Sequence, residues 1–291
     1  MTFWPYLLLL VAGVGWGLGF PFAELALPEV SPPQLIVLRF AVAAAPCLPL
    51  VLRSRETRRA LADPWTWAAG AIYGLGFLLQ FEGLARTNVT ISALLVGLMP
   101  AEVALAAPLF GERVTPLGWA GVAAVTLGAA LIAAKPGGHA SASGLALLLA
   151  AMALFLGWLL ALRRVREAGD RLAAPCAMVI ACTVVLLAAA PFLHGWPPTH
   201  LTARAWAGVL GSGLISTSLA TVAWQVGVAR TPATAAGVFV NAEPLVGSAL
   251  GVGLFHDPLT GALVAGGVLI VSGSVATVLG QRRQAPPRRG G

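Results

Sequence analysis

The chain has 291 residues, of which 58% are apolar and only 10% are charged, and its formal net charge is +7. Soluble domains carry about 25% charged residues, so this chain has too few charges to cover a globule in water. The composition therefore excludes an ordinary soluble domain and indicates a protein surrounded by lipid. Because the arginines stand in short groups between apolar segments, the positive charge follows the membrane pattern and argues against a nucleic-acid partner.

Ten apolar segments follow one another along the chain. Crossing a bilayer core about 30 Å thick takes about 20 apolar residues, and each segment has about that length. Their ranges are 5–27, 34–52, 65–84, 90–110, 115–134, 143–162, 172–193, 206–229, 233–255 and 260–280. The first segment lacks the basic region and cleavage site of a signal peptide. The sequence therefore predicts an all-α membrane protein with ten transmembrane helices.

Arginine and lysine in the connecting loops predict the orientation. If both termini are cytoplasmic, fourteen of these residues lie on the inner side and four on the outer side, the four being Arg39, Arg86, Lys135 and Arg204. Positive residues concentrate on the cytoplasmic side of membrane proteins. We therefore predict that both termini are cytoplasmic, with a disordered basic tail at 282–291.

One stretch of the sequence occurs twice. The turn Gly83–Thr87 recurs 144 residues later as Gly227–Thr231, and 7 of the 18 positions from Gly83 to Pro100 are identical in the second copy. After one inserted residue the match resumes at two pairs of glycines, Gly121 with Gly266 and Gly128 with Gly273. The repeat predicts two domains of five helices each, residues 1–138 and 139–281.

The number of helices in each repeat has a consequence for function. Because five is odd, the second repeat enters the membrane from the opposite face, and the two copies form an inverted repeat. Many secondary transporters are built in this way, with the substrate site near the bilayer midplane between the repeats. The duplication therefore predicts a transporter that works by alternating access.

Two matched prolines mark where that site is expected. Pro100 and Pro244 occupy the same position in the two copies, and matched helix breaks of this kind are the best sequence indication of a transporter site. Each proline displaces the carbonyl four residues earlier, so we expect free carbonyls at Val96 and Val240. A plain proline kink is the alternative interpretation.

The matched prolines, the two five-helix repeats and the Leu-Phe-Gly-Glu turn at Leu109–Glu112 resemble the drug/metabolite transporter superfamily in its EamA-type form. The resemblance covers residues 5–280, although His256-Asp257 matches the Gly-Glu of the turn only loosely in the second repeat. Within that superfamily the chain resembles the ten-helix amino-acid and metabolite exporters of the bacterial inner membrane, typified by the aromatic amino acid exporters. The resemblance implies export of small neutral or zwitterionic metabolites, including aromatic amino acids.

Candidate substrate-binding residues come from the helices around the predicted midplane. Tyr73, Phe77 and Gln80 share one face of the third helix, which suits an aromatic, amphipathic solute but also suits core packing. Trp16 and Trp158 occupy comparable places in the two repeats, and serines such as Ser216 often bond their own backbone instead of a ligand. The full set is Trp16, Tyr73, Phe77, Gln80, Met99, Glu102, Trp158, Ser216, Trp224, Phe239, Asn241 and Glu243.

Carboxylates inside lipid are costly and are functional candidates by default. Glu102 and Glu243 flank the matched prolines, with Asn241 nearby, whereas Glu24 and Glu82 lie near helix ends. We hypothesise that Glu102, Asn241 and Glu243 face the central cavity, where they hold a substrate ammonium or carry a coupling proton. A protonated carboxyl bonded to helix backbone is the alternative.

Motifs for ATP binding, dinucleotide binding and zinc hydrolysis are not found in the sequence. We therefore expect no catalytic residue, no metal and no cofactor, and partners limited to the bilayer and a small-molecule substrate, with a monomer plausible. Three alternatives stay open: efflux of hydrophobic cations, a membrane enzyme acting on lipid head groups, and a non-transporting scramblase or structural bundle.

Overall fold

A computed structural model describes residues 3–110, 112–134, 140–165, 170–193, 195–198, 200–231 and 233–280. These residues form helices and the turns between them, and no strand occurs in them. The predicted disordered tail at 282–291 and the predicted outer Lys135 lie outside the described residues.

Sixteen α-helices are described in chain order. Those of the first half are α1 Trp4–Gly17, α2 Gly19–Ala26, α3 Pro32–Ala44, α4 Leu48–Arg53, α5 Arg55–Leu61, α6 Pro64–Leu84, α7 Val89–Val96, α8 Met99–Ala106 and α9 Pro116–Ala134. Those of the second half are α10 Ala142–Leu162, α11 Ala173–Leu193, α12 Ala203–Leu210, α13 Ala220–Val228, α14 Ala233–Phe239, α15 Ala242–Phe255 and α16 Gly261–Gly280. A nine-residue π-helix, Gly211–Leu219, joins α12 to α13.

Nine helical stretches within the described ranges are long and apolar enough to cross a membrane. They are Trp4–Ala26, Pro32–Arg53, Val89–Leu109, Pro116–Ala134, Ala142–Leu162, Ala173–Leu193, Ala203–Val228, Ala236–Phe255 and Gly261–Gly280. The α6 helix has 21 residues, as many as α10 and α11, but Gln80, Glu82 and four glycines lower its apolar character. The fold is thus that of a multi-pass membrane protein, and the tenth span stays a prediction.

Side-chain caps explain where several helices begin. Ser31 and Gln34 form a capping box at the start of α3, with the Ser31 N–H donating to Gln34 Oε1 at 3.0 Å. Asn88 Oδ1 accepts from the Ile91 N–H at 2.8 Å and caps α7. Such caps satisfy N–H groups that the first helical turn leaves free.

The duplicated turn has the same local structure in both copies. Thr87 Oγ1 donates to the Gly83 carbonyl at 2.8 Å, and Thr231 Oγ1 donates to the Gly227 carbonyl at 3.0 Å. Each threonine therefore closes the end of its helix with the same hydrogen bond.

Two pairs of helices that join the first half to the second are antiparallel. The Arg230 guanidinium, after the end of α13, lies 4.9 Å from the centre of the Trp4 ring at the start of α1. The Ser141 N–H, which precedes α10, donates to the Arg86 carbonyl after α6 at 2.9 Å. Contacts between the start of one helix and the end of its neighbour show that α1 runs opposite to α13, and α6 opposite to α10.

Glycines form the crossing of α9 and α16. A Cβ on Gly121 would lie 2.5 Å from the Gly273 carbonyl oxygen, and a Cβ on Gly128 would lie 2.6 Å from the Gly266 carbonyl oxygen. No side chain fits between backbones this close. The pairing is crosswise, because Gly121 meets the repeat counterpart of Gly128 and Gly128 meets the counterpart of Gly121.

We expect Gly121→Ala to destabilise the protein, because the added methyl group would also meet the Thr277 N and Oγ1 atoms at 2.5 Å. Overpacking of this kind costs about 1–3 kcal/mol. Thermal unfolding of the purified protein in detergent measures the effect. Gly253→Ala is the matched control, because a Cβ there meets nothing within 4 Å. Equal melting temperatures for both variants would contradict the tight crossing.

Candidate functional site

A cavity of about 590 Å³ lies between the two halves of the chain. Its walls come from α8 in the first half and from α10 and α13 in the second, and they are mostly apolar. The lining residues are Val103, Ala106, Ala107, Leu156, Leu159, Leu160, Leu162, Arg163 and Trp224. Arg163 also bonds Glu112 Oε1 at 3.3 Å, so an ion pair joins the two halves beside the cavity.

Both matched prolines stand just after a break between two helices. The helix α7 ends at Val96 and α8 begins at Met99, with Pro100 in its first turn. The helix α14 ends at Phe239, and Pro244 lies in the first turn of α15.

The expectation of a free carbonyl at Val240 is wrong, because that carbonyl accepts the Glu243 N–H at 3.1 Å. A shorter, three-residue hydrogen bond replaces the one that Pro244 cannot form. The break therefore satisfies this carbonyl locally and does not offer it to a solute.

Two polar atoms near the breaks have no hydrogen-bond partner in the part of the chain that the structure describes. They are Glu102 Oε2 and Asn241 Oδ1, and both atoms are buried. The Asn241 amide nitrogen donates to the Val238 carbonyl at 3.3 Å. Glu102 precedes Val103, a residue of the cavity wall. Because an unsatisfied buried polar atom costs about 1–3 kcal/mol, these two atoms are suited to receive hydrogen bonds from a polar solute.

Aromatic rings from three helices form one cluster. The Tyr73 ring on α6 lies 4.8 Å from Phe77 and 4.5 Å from Trp158 on α10, measured between ring centres. Phe40 on α3 and Phe155 on α10 complete the cluster, at 5.2 and 5.1 Å from Phe77. The Trp158 N–H donates to Met178 Sδ at 2.8 Å. The structure thus brings together three of the predicted residues, Tyr73, Phe77 and Trp158.

A second group of predicted residues is connected to the cavity wall through Trp224. The rings of Trp16 and Trp224 are 5.2 Å apart, and Trp224 lines the cavity. Ser216 Oγ donates to the Trp16 carbonyl at 3.5 Å. Trp224 therefore connects the cavity wall, through Trp16, to the π-helix that contains Ser216.

The other candidates lie apart from the cavity wall. Gln80 is buried on α6, and Met99 packs against the core. Phe239 pairs with Tyr6 at 6.1 Å. Glu82 forms an exposed ion pair with Arg86 at 3.0 Å, in keeping with its place near a helix end.

Arg39, which was counted with the outer-side charges, lies inside α3 and is buried to 4% exposure, so it is not a loop residue, and its side of the membrane stays a prediction. Its Nε donates to Thr217 Oγ1 at 2.9 Å and its Nη2 to Ser216 Oγ at 3.4 Å. The guanidinium also lies 4.5 Å from the centre of the Phe77 ring. An arginine inside an apolar run is itself a signal of function, and that signal was available in the sequence.

We expect Val103→Cys to react with a water-soluble maleimide about tenfold faster than Leu105→Cys, since the reactive thiolate forms only where water reaches the thiol. Val103 lines the cavity, whereas Leu105, on the same helix, is 53% exposed on the outside of the bundle. Labelling rates in proteoliposomes, in a background without native cysteines, measure the difference. Equal rates would show that water does not enter the cavity.

Comparisons with known proteins agree with this architecture. The model of the EamA-like transporter family matches the chain twice, at residues 3–134 and 142–279. A protein of Streptantibioticus cattleyicolor described as "Probable terminal-alkyne amino-acid exporter" is 30% identical over 298 residues, covering 97% of each chain. A solved crystal structure aligns with a TM-score of 0.66 at 23% identity, over 95% of this chain and 97% of the other, and shows the fold alone. The chain is a multi-pass protein of the inner membrane and belongs to the EamA-like transporter family.

Proposed function

We propose that the chain is a secondary exporter of small neutral or zwitterionic metabolites, chiefly amino acids including aromatic ones. It moves them across the inner membrane by alternating access. Membership of the EamA-like transporter family supports transport. The description of the Streptantibioticus relative as an amino-acid exporter supports amino acids as the substrate class and export as the direction.

The proposed architecture has ten transmembrane helices in two inverted repeats, with both termini cytoplasmic. Four observations support it. The family model matches the chain twice, and the duplicated turn has the same hydrogen bond in both copies. The helices α1 and α13, and likewise α6 and α10, run antiparallel, and the glycines of α9 and α16 pair crosswise. A two-fold axis in the membrane plane would produce all four. One chain supplies both halves, so a monomer suffices.

The cavity between the halves is the observation that carries the proposal. Its volume of about 590 Å³ lies in the range of small-molecule sites and accommodates an amino acid. First-half residues form one wall and second-half residues the other, so that rocking one half against the other changes its size and its opening. The ion pair between Glu112 and Arg163 would separate in such a movement.

The polar residues near the breaks have two possible roles. Glu102 and Glu243 hold the substrate ammonium or carry a proton that couples transport to the proton gradient. Asn241 supplies a hydrogen-bond acceptor, and the aromatic cluster around Tyr73 and Phe77 receives an aromatic side chain by ring stacking.

We expect proteoliposomes that contain the purified protein to exchange radiolabelled amino acids. Vesicles preloaded with unlabelled threonine, methionine or phenylalanine should accumulate the labelled form of at least one of them, whereas protein-free vesicles should not. Exchange of hydrophobic cations with no exchange of amino acids would favour the alternative of drug efflux. No exchange of either class would contradict secondary transport.

We expect Glu102→Gln and Glu243→Gln to separate the two roles. Loss of amino-acid exchange itself would assign a residue to ammonium binding, since the neutral amide has no charge to offer. Retained exchange, with accumulation that no longer responds to an imposed pH gradient, would assign it to proton coupling. Glu82→Gln is the control, because its ion pair is exposed. Unchanged exchange and unchanged pH response in both variants would exclude both roles.

A further inference from the structure

Arg39 is a permanent positive charge enclosed in the apolar interior. It lies within the membrane-spanning stretch Pro32–Arg53 and is only 4% exposed. Guanidinium stays charged in proteins, and a charge within the membrane is retained where it pairs or serves a function. The question is therefore which group compensates this charge.

The protein groups that contact Arg39 are neutral. Two N–H groups donate to the hydroxyls of Thr217 and Ser216, at 2.9 and 3.4 Å. The faces of Phe77 and Phe81 lie 4.5 and 5.2 Å away. A guanidinium has five N–H donors, and within the described ranges Arg39 forms no ion pair. The charge is thus held in place without being neutralised.

The two hydroxyls are themselves fixed by the π-helix Gly211–Leu219. Thr217 Oγ1 donates to the Ser212 carbonyl five residues earlier, at 2.9 Å, so its free electron pairs face Arg39. Ser216 Oγ donates to the carbonyl of Trp16 on α1 at 3.5 Å. π-helical turns are frequent at functional sites. This one holds the guanidinium by its Nε and Nη2 side and leaves Nη1 free of these hydroxyls.

Nη1, which makes neither of these two bonds, lies near the point where α1 ends and α2 begins. A Cβ on Gly19, the first residue of α2, would lie 3.6 Å from Arg39 Nη1 and 2.6 Å from Ser216 Oγ. Two residues earlier, a Cβ on Gly17 would lie 2.7 Å from the Glu243 carbonyl oxygen. The basic residue and the acidic residue therefore flank the same break between α1 and α2.

Within the described ranges Arg39 and Glu243 form no ion pair, although both lie against the same short stretch of the first span, Gly17–Gly19. An α-amino acid carries a carboxylate and an ammonium separated by one carbon. These two charges match the basic Arg39 and the acidic Glu243. Carboxylate bound to arginine through two parallel N–H bonds is among the strongest neutralising contacts available in a protein.

We propose that Arg39 binds the carboxylate of the substrate and that Glu243 receives its ammonium, so that the transporter selects α-amino acids against amines and esters. This proposal rests on the proposed function. Trp224, in the same span as the π-helix, lines the cavity, and the carboxylate reaches Nη1 when α1 and α2 move apart from the π-helix.

The first test compares ligands on the wild-type protein. Methionine, its methyl ester and its decarboxylated amine are added as competitors of labelled methionine exchange, and as ligands that raise the melting temperature of the purified protein. We expect the ester and the amine to be at least about tenfold weaker than methionine in both measurements. Equal potency of the amine would overturn the role of Arg39, even if amino acids are transported.

The second test uses variants of the arginine. Arg39→Gln should abolish the preference for methionine over its amine, and Arg39→Lys should retain part of it, because lysine keeps the charge but not the planar fork. Like Arg39, Arg230 lies on an aromatic ring, that of Trp4, but it is exposed, so Arg230→Gln should keep the full preference. A preference unchanged in Arg39→Gln would overturn the proposal.

The measurements also separate this inference from the proposed function. Exchange of methionine that the amine inhibits equally well would leave amino-acid transport standing and reject the carboxylate site. Failure of methionine to exchange, together with failure to stabilise the protein, would reject both. If Arg39→Gln does not fold, the wild-type ligand series decides by itself.

Discussion

Lipid offers no hydrogen bonds, so every polar group inside the bilayer must find its partner within the protein or in a water-filled cavity. A regular helix satisfies its own backbone groups by internal hydrogen bonds. Where the backbone is irregular, other hydrogen bonds replace them. At the π-helix Gly211–Leu219, wide turns aim hydroxyls at Arg39. At the break before Pro244, a short hydrogen bond satisfies the backbone. Polar contacts and irregular backbone therefore coincide at these points, because a polar group inside lipid needs a partner within the protein.

The glycines at helix contacts affect both the stability of the bundle and the movement of its helices. At the crossing of α9 and α16, glycine backbones touch, and at Gly17 and Gly19 the broken first span touches α15 and the π-helix. Glycine contacts let the helix backbones approach closely and gain dispersion energy. Because no side chains interlock at these contacts, the helices can slide past each other. A bundle built in this way can stay packed while one half rocks against the other.

The membrane class, the family and the positions of nine spans could be read from the sequence, because hydrophobic length and duplication are local signals. The partners of Trp16 could not, because Trp224 lies 208 residues away along the chain and only the fold brings the rings together. The hydroxyl partners of Arg39 could not be read either, because Ser216 and Thr217 lie 177 and 178 residues away along the chain. The π-helix contains no proline, so nothing in its sequence marked the irregular backbone.

If the second half of the chain is an inverted repeat of the first half, the two copies of one turn lie on opposite sides of the membrane. Arg86→Cys and Arg230→Cys, placed singly in a background without native cysteines, test it at the two copies of the same turn. A membrane-impermeant maleimide should label Arg86→Cys in intact cells, and should label Arg230→Cys only after the membrane is permeabilised. Labelling of both variants from the same side would contradict the inverted repeat and the alternating access built on it.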